Sequence, residues 1–317
     1  MLLQVQNLNV SYFTRRGEAR AIKNFSIEIE EGSTVGIVGE SGSGKSTLGL
    51  AIVGLVPPPG RVVSGKILFD GEDLLTMEKE TLRRIRGRRI SMIFQDPMTS
   101  LNPVKNIRDH FSEMLRVHEP NVSKGEAENR VATILEELGI SRERSRDYPH
   151  QFSGGMRQRV MIGLALILNP ALVIADEPTT SLDVIVEAQI LELLKSLKRT
   201  HNLTLILITH NVGLIAEMTD RVSVMYAGQL MELSPTEKLF ERPLNPYTQA
   251  LLQSVPHVMA SGQALTWIPG FPPNLLSPPP GCPFHPRCPY AFDKCKNVEL
   301  QYTKVEEERT VACHLYG

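Results

Sequence analysis

The chain has 317 residues, 42% of them hydrophobic and 22% charged, enough to bury a full core and to form one large domain plus an appendage. Its formal net charge of −1 argues against the basic excess expected of a dedicated nucleic-acid binder. Met1-Leu2-Leu3 is followed at once by Gln4, Gln6 and Asn7, with no apolar stretch of secretory length, so the chain is expected to stay in the cytoplasm.

Residues 2 to 12 alternate weakly and Phe25-Ser26-Ile27-Glu28-Ile29-Glu30 clearly, which predicts antiparallel strands with one buried face. Tyr12 ends the first of these; an aromatic there serves either as strand-edge packing or as a stacking platform for adenine. Thr34-Val35-Gly36-Ile37-Val38 then reads as a strand, and Leu48-Gly49-Leu50-Ala51-Ile52-Val53 as a helix. Between them lies Gly39-Glu40-Ser41-Gly42-Ser43-Gly44-Lys45-Ser46-Thr47, a phosphate-binding loop in its required strand–loop–helix context. Its glycines let the backbone curl until successive N–H groups point at a polyphosphate, with the helix N-terminus behind them. Lys45 would reach the β- and γ-phosphates and Ser46 would ligate Mg²⁺.

Pro57-Pro58-Pro59-Gly60 breaks the chain, and Gly65-Lys66-Ile67-Leu68-Phe69-Asp70-Gly71 predicts a short strand closed by a turn. The basic run Arg83-Arg84-Ile85-Arg86-Gly87-Arg88-Arg89 is short in an otherwise balanced chain and reads as a solvated face. Ile90-Ser91-Met92-Ile93-Phe94 is a buried-strand pattern ending in Gln95-Asp96-Pro97. If that strand lies beside the phosphate loop, Gln95 can offer its carbonyl oxygen to Mg²⁺ or its water. From about residue 98 to 158 helical periodicity takes over, as in Val131, Ile134, Leu135 and Leu138 with Gly139 as a cap, which predicts a helical insert in a nucleotide-binding core. Val160 to Ala175 is apolar but interrupted by Asn169-Pro170 and too short to span a bilayer; it predicts a buried helix, a turn and a buried strand.

That strand, Leu172-Val173-Ile174-Ala175-Asp176-Glu177, is apolar throughout, as in a parallel sheet covered on both faces, and ends in two carboxylates. Adjacent strand side chains point to opposite faces, so Asp176 can bind the Mg²⁺ shell while Glu177 aims at an attacking water. Leu203 to Ile208 predicts another buried strand, ending in Thr209-His210, where the histidine can contact a γ-phosphate.

The phosphate loop, Gln95, Phe152-Ser153-Gly154-Gly155-Met156, Asp176-Glu177, Ser181-Leu182-Asp183 and His210 follow the order of motifs in the ATPase subunits of ABC transporters, which residues 2 to 230 resemble. The resemblance implies an α/β fold with a RecA-like parallel core, an antiparallel β subdomain and a helical subdomain at about 98–158, in a nucleotide-binding domain of residues 1–230. It also implies two ATPase subunits packed head to tail. Ser153, Gly154 and Gly155 of one would lie on ATP bound at Gly39, Ser41, Gly42, Ser43, Gly44, Lys45, Ser46 and Thr47 of the other. Asp183 would align the subunits, His210 would hold the γ-phosphate, and Tyr12 would stack on adenine. The segment around Gln95 and the helices after it would face membrane subunits. Met156, where the commonest family form has Gln, and Tyr148-Pro149-His150-Gln151-Phe152 resemble one subunit type of the dipeptide/oligopeptide importers. The implied function is ATP hydrolysis driving import of dipeptides, oligopeptides or a related solute. Its implied partners are a second, distinct ATPase subunit, two permease subunits and, indirectly, an extracytoplasmic solute-binding protein, with no nucleic acid, at the cytoplasmic face of the membrane. The alternative is a soluble ABC-type ATPase acting on nucleic acid or the ribosome, which would usually carry two cassettes, long coiled coils or basic linkers.

Beyond residue 230 the composition shifts. Proline is frequent between Pro243 and Pro289, which predicts extended loops. All four cysteines, Cys282, Cys288, Cys295 and Cys313, fall in this extension of residues 231–317. In a cytosolic chain such clustering points to a four-thiolate metal site, zinc or iron–sulfur, more than to disulfides. Gaps of five, six and seventeen residues lack the C-x₂-C knuckle of most structural zinc sites. Gly281-Cys282-Pro283-Phe284-His285-Pro286-Arg287-Cys288-Pro289, with Asn245-Pro246-Tyr247-Thr248-Gln249-Ala250-Leu251-Leu252 upstream, is similar to the C-terminal region of the same importer subfamily, where the resemblance implies a [4Fe–4S] cluster with four cysteine ligands. Zn²⁺ is the alternative, with unligated thiols third, and His285 and His314, beside ligands in sequence, could substitute in a mixed zinc site.

Overall fold

The computed structural model describes residues 1–96, 100–180, 182–254 and 267–317; Pro97 and Ser181, both part of the motifs above, lie outside them. The chain forms two compact units, one of Met1–Thr76 with Leu207–Gly317 and one of Met77–Ile206.

The first unit opens with β1 (Leu3–Thr14) and β2 (Gly17–Ile29), an antiparallel hairpin running from Leu3↔Ile29 to Thr14↔Gly17. Leu3, Val5, Leu8 and Val10 of β1 and Phe25, Ile27 and Ile29 of β2 are buried, so the weak alternation did mark a one-sided sheet. The period slips between Val5 and Leu8, where the pairing register shifts and Asn7 and Asn24 take positive φ of 48°. β3 (Thr34–Val38) is buried at every residue and is followed by α1 (Lys45–Ile52). β4 (Gly60–Phe69) and β5 (Glu72–Asp73) complete the sheet order β2-β1-β4-β5.

The second unit begins with α2 (Lys79–Ile85), where Arg83 and Arg84 are exposed and lie 3.7 Å from Glu80, the solvated face expected of the basic run. β6 (Ile90–Ile93) pairs in parallel with a later strand of the same unit. α3 (Ile107–His118) and α4 (Lys124–Glu137) are capped by Asn106 and Ser123, whose side chains accept the N–H groups of Asp109 and Glu126. α4 buries Val131, Ile134 and Leu135 and ends at Gly139, whose φ of 69° stops the helix as expected. α5 (Gly154–Leu166), a turn, and β7 (Leu172–Asp176) occupy the stretch read as helix, turn and strand, with Ile90↔Leu172 and Ile93↔Ala175 fixing the parallel register. α6 (Val184–His201) follows. No described helix is long and apolar enough to cross a membrane.

β8 (Thr204–Thr209) carries the chain back to the first unit, which continues with α7 (Val212–Met218), β9 (Arg221–Tyr226) and β10 (Gln229–Pro235). β9 runs parallel to β3 from Val35↔Arg221 to Val38↔Val224. Then come α8 (Thr236–Glu241), α9 (Pro246–Gln253), α10 (Asp293–Asn297), β11 (Thr303–Glu306) and β12 (Arg309–Val311). β12 pairs with β10 at Glu232↔Val311, giving the order β11-β12-β10-β9-β3. The end of the extension is thus a sheet edge, and residue 230, where the composition shifts, lies inside β10.

A buried ion pair explains that edge. Glu232 is 0% and Arg309 2% exposed, and they meet at 2.9 Å. The carboxylate also accepts the backbone N–H groups of Leu244 and Asn245 at 2.9–3.1 Å, and Arg309 donates to the Arg242 carbonyl at 2.7 Å. Asn245 bonds the carbonyls of Met231 and Ala312 through its amide, which ties both ends of the extension to β10.

Candidate functional site

The phosphate loop leaves β3 at Gly39 and enters α1 at Lys45. Gly42 and Gly44 have φ of 77° and 100°, and a Cβ on Gly44 would lie 2.4 Å from the Ala21 carbonyl oxygen; on Gly39 it would lie 2.1 Å from that of Met225. Glycine is therefore required at Gly44 for conformation and space, at Gly42 for conformation and at Gly39 for space. Lys45 is 5% exposed, and its ammonium donates to the loop carbonyls of Gly39 at 2.9 Å and Glu40 at 3.0 Å. Ser41 and Gly42 are exposed, Ser46 and Thr47 half-buried, and Ser43 is buried with its carbonyl accepting from Gly228 N–H at 2.9 Å. The Tyr12 hydroxyl lies 3.5 Å from Thr47 Oγ1 and its ring packs on Gly60, where an added Cβ would fall 2.6 Å from the ring. Strand-edge packing is therefore real for Tyr12, and the ring stands next to the loop. His210 is exposed just past β8, before Asn211, which caps α7.

In the second unit, Asp176 ends β7 and is 5% exposed. Glu177 is not oriented by strand alternation: it lies beyond the strand with φ 46°, and this left-handed turn redirects the side chain. Its Oε2 accepts from Gln95 Nε2 at 2.8 Å and from Thr180 Oγ1 at 2.9 Å, so the structure brings Gln95 and Glu177 together. Ser153 caps α5, its hydroxyl accepting the Met156 N–H at 3.3 Å, while Gly154 and Gly155 form the first turn. A Cβ on Gly155 would come 2.4 Å from Val186 Cγ1, which explains that glycine by packing against α6. Asp183 is exposed and caps α6 through the Val186 N–H at 2.9 Å.

Sequence reading passed over Arg144. Its Nε donates to Asp147 at 2.9 Å, its Nη2 to the Gln151 carbonyl at 3.0 Å, and its guanidinium lies 4.3 Å from the centre of the Phe152 ring. It thereby fixes the approach to Ser153. No local pattern distinguishes it from the other arginines of that stretch.

The four cysteines are free thiols around one cavity, with His285 and His314 at its wall. Burial pushes Cys282 up to about 12, with the other three sulfurs adding to the shift, and raises Cys288 and Cys313 as well. Each histidine has one ring nitrogen bonded to a backbone carbonyl, His285 to Cys282 and His314 to Val298, both at 2.9 Å. Among the described residues, no group of three or more His, Cys, Asp or Glu side chains is placed to hold a metal ion, so the expected four-cysteine metal site is not formed by these side-chain positions.

A glycine-bound loop between a buried parallel strand and a helix defines a phosphate-loop nucleotide-binding protein. Residues 22–180 match the ABC transporter family, and residues 231–295 match the oligopeptide/dipeptide transporter, C-terminal region. The chain is 48% identical over 317 residues to the dipeptide transport ATP-binding protein DppD of Bacillus subtilis, covering 99% of this chain and 94% of that one. With the oligopeptide transport ATP-binding protein OppD of Salmonella typhimurium it shares 46% identity over 300 residues, 94% of this chain and 89% of that one. A solved dimer of the ATP-binding cassette MJ0796, in a post-hydrolysis state bound to ADP and Pi, superposes with a TM-score of 0.67 at 27% identity, over 74% of this chain and 99% of that chain. The chain belongs to the ABC transporter family and is an ATPase of that type.

Proposed function

We propose that this chain is the ATP-hydrolysing subunit of an importer for dipeptides, oligopeptides or a related small solute, acting at the cytoplasmic face of a membrane. The observation that carries this reading is that an ABC cassette and the oligopeptide/dipeptide-type C-terminal region occur in one chain, which aligns over nearly its whole length with dipeptide and oligopeptide transport ATP-binding proteins. Residues 1–230 serve as the nucleotide-binding domain and 231–317 as the extension.

ATP binds with adenine against Tyr12 and its phosphates over Gly39, Ser41, Gly42, Ser43, Gly44, Lys45, Ser46 and Thr47. Lys45 gives up its two carbonyl partners for phosphate oxygens, exchanging neutral acceptors for charged ones. Ser46 would ligate Mg²⁺, with Gln95 and Asp176 as the further expected ligands of the ion or its water, and the ion would neutralise phosphate charge. Glu177 orients the attacking water and His210 holds the γ-phosphate. Ser153, Gly154 and Gly155, at the open N-terminus of α5, complete the site of a second ATPase subunit, with Asp183 aligning the pair head to tail. That subunit is a distinct chain, and two permease subunits and an extracytoplasmic solute-binding protein complete the system.

Cys282, Cys288, Cys295 and Cys313 would be the ligands of a [4Fe–4S] cluster. Four free thiols facing one cavity are the observation that supports a four-thiolate site, with Zn²⁺ as the alternative occupant. Bound there, the cluster would cross-link a loop-rich segment. Iron, sulfide and zinc analysis of anaerobically purified protein decides between cluster and zinc.

Transport is tested by reconstituting the full complex in liposomes. Peptide-loaded binding protein should stimulate ATP hydrolysis and drive labelled peptide uptake. Stimulation by nucleic acid or ribosomes instead, with no uptake, overturns the proposal.

A further inference from the structure

Glu40, the residue after Gly39 in the phosphate loop, is gripped by the C-terminal segment. Both terminal nitrogens of Arg287 donate to its carboxylate, Nη1 to Oε2 at 2.7 Å and Nη2 to Oε1 at 3.0 Å. The Tyr247 hydroxyl accepts the Glu40 backbone N–H at 2.9 Å. The Arg287 side chain is only 6% exposed and Tyr247 0%. Arg287 is itself fixed by the Pro269 carbonyl at 2.7 Å, the Ile268 carbonyl at 3.3 Å and the Tyr226 hydroxyl at 3.1 Å. Tyr226, Tyr247 and Phe284 pack ring to ring behind it, with centroids 4.5–5.3 Å apart.

Two consequences bear on the nucleotide. The Glu40 N–H held by Tyr247 shares its peptide unit with the Gly39 carbonyl, and that carbonyl and Glu40's own both accept from Lys45, so Tyr247 and Arg287 act on the peptides that aim the loop lysine. Glu40 also places a carboxylate inside a loop built for anions, where an uncompensated negative charge would oppose a polyphosphate; the bidentate guanidinium cancels it.

We propose that Arg287 and Tyr247 are positioning residues for the nucleotide, holding Glu40 neutralised and fixed so that the phosphate loop keeps one binding geometry. This rests on the loop being the ATP site, as proposed above. Neither residue touches ATP; both act through Glu40.

The test titrates full-length protein with a fluorescent ATP analogue and Mg²⁺, with melting followed in parallel. Arg287→Met should weaken binding roughly tenfold, the effect of one unpaired charge close to the phosphates. Glu40→Gln in the same chain should restore most of that loss, because it removes the charge that Arg287 had balanced. Arg287→Lys should fall between, keeping the charge but losing the fork geometry. Binding within twofold of wild type in Arg287→Met, or a loss that Glu40→Gln does not reverse, overturns the proposal. Should Arg287→Met fail to fold, Glu40→Gln alone decides: affinity equal to or above wild type supports it, and a tenfold loss overturns it. If the wild type fails to bind the analogue, or Lys45→Ala still binds it, the site assignment itself is wrong, a result distinct from failure of the Glu40 variants.

Discussion

The phosphate loop and the C-terminal extension keep their shapes by opposite means. The loop takes its turns from within, its lysine bonding carbonyls five and six residues away and its glycines supplying positive φ, with outside ties at Glu40 and Ser43. The extension is held across the chain, with Arg309 reaching back 77 residues to Glu232, Asn245 forward 67 to Ala312, and Arg287 back 247 to Glu40. Local closure is suited to chemistry that must repeat in one geometry, whereas distant closure carries stability and depends on the whole fold. Substitutions in the two regions should therefore separate turnover from stability.

The largest separation is expected at Glu177. Glu177→Gln keeps the shape and a hydrogen-bonding oxygen but loses the carboxylate, so turnover should fall by about 10²–10⁴-fold while ATP binding and melting stay near wild type. Hydrolysis within tenfold of wild type removes Glu177 from the catalytic role. Arg309→Met should do the reverse. It strands the Glu232 carboxylate in a site with no exposure, at a cost of about 3–5 kcal/mol, seen in denaturant or thermal unfolding. Adding Glu232→Gln should recover part of that loss, since the amide oxygen still accepts from Leu244 or Asn245 without an unpaired charge. No recovery would mean that packing, not charge, dominates there.

Gly44→Ala should affect both quantities. A side chain at φ 100° and 2.4 Å from the Ala21 carbonyl cannot be accommodated without moving the loop, so a strain of about 1–3 kcal/mol should accompany loss of nucleotide binding. Unchanged binding would show that the loop tolerates a wider set of shapes than its closure suggests.

This contrast also explains what the amino-acid order made legible. Gly39 to Thr47, the fully buried Leu172–Asp176 strand and the Ser153 cap are encoded by neighbours in sequence, and strand, loop and helix follow from spacing alone. Glu177 shows the first limit: its carboxylate was found, but strand alternation gave the wrong reason for its direction, because a left-handed residue lies outside that periodicity. Arg287 shows the second. Its meaning depends on Glu40, an unspecified position of the loop motif 247 residues away, and no local pattern links them. The boundary at residue 230 follows the same rule: composition registers the change from apolar strands to proline-rich loops, but not that β12 returns to pair with β10.

The smallest effect, and the one that joins the two regions, is expected from Cys288→Ser. Cys288 directly follows Arg287, and with Cys282 it brackets the segment carrying both Arg287 and Phe284. Serine retains the size and loses the thiolate, so the variant should lose whatever metal the proposed site holds. In protein prepared without metal the substitution should be nearly silent, because burial already keeps that thiol above its ordinary range and hence neutral. Compared with wild type purified with the proposed metal in place, loss of that cross-link should loosen the grip on Glu40 and weaken ATP-analogue binding by roughly twofold to fivefold, in the direction of Arg287→Met but short of it. Metal loss with unchanged nucleotide affinity would make the cysteine pocket a staple for the extension alone, leaving the Arg287–Glu40 pair to hold the loop whether or not the pocket is filled.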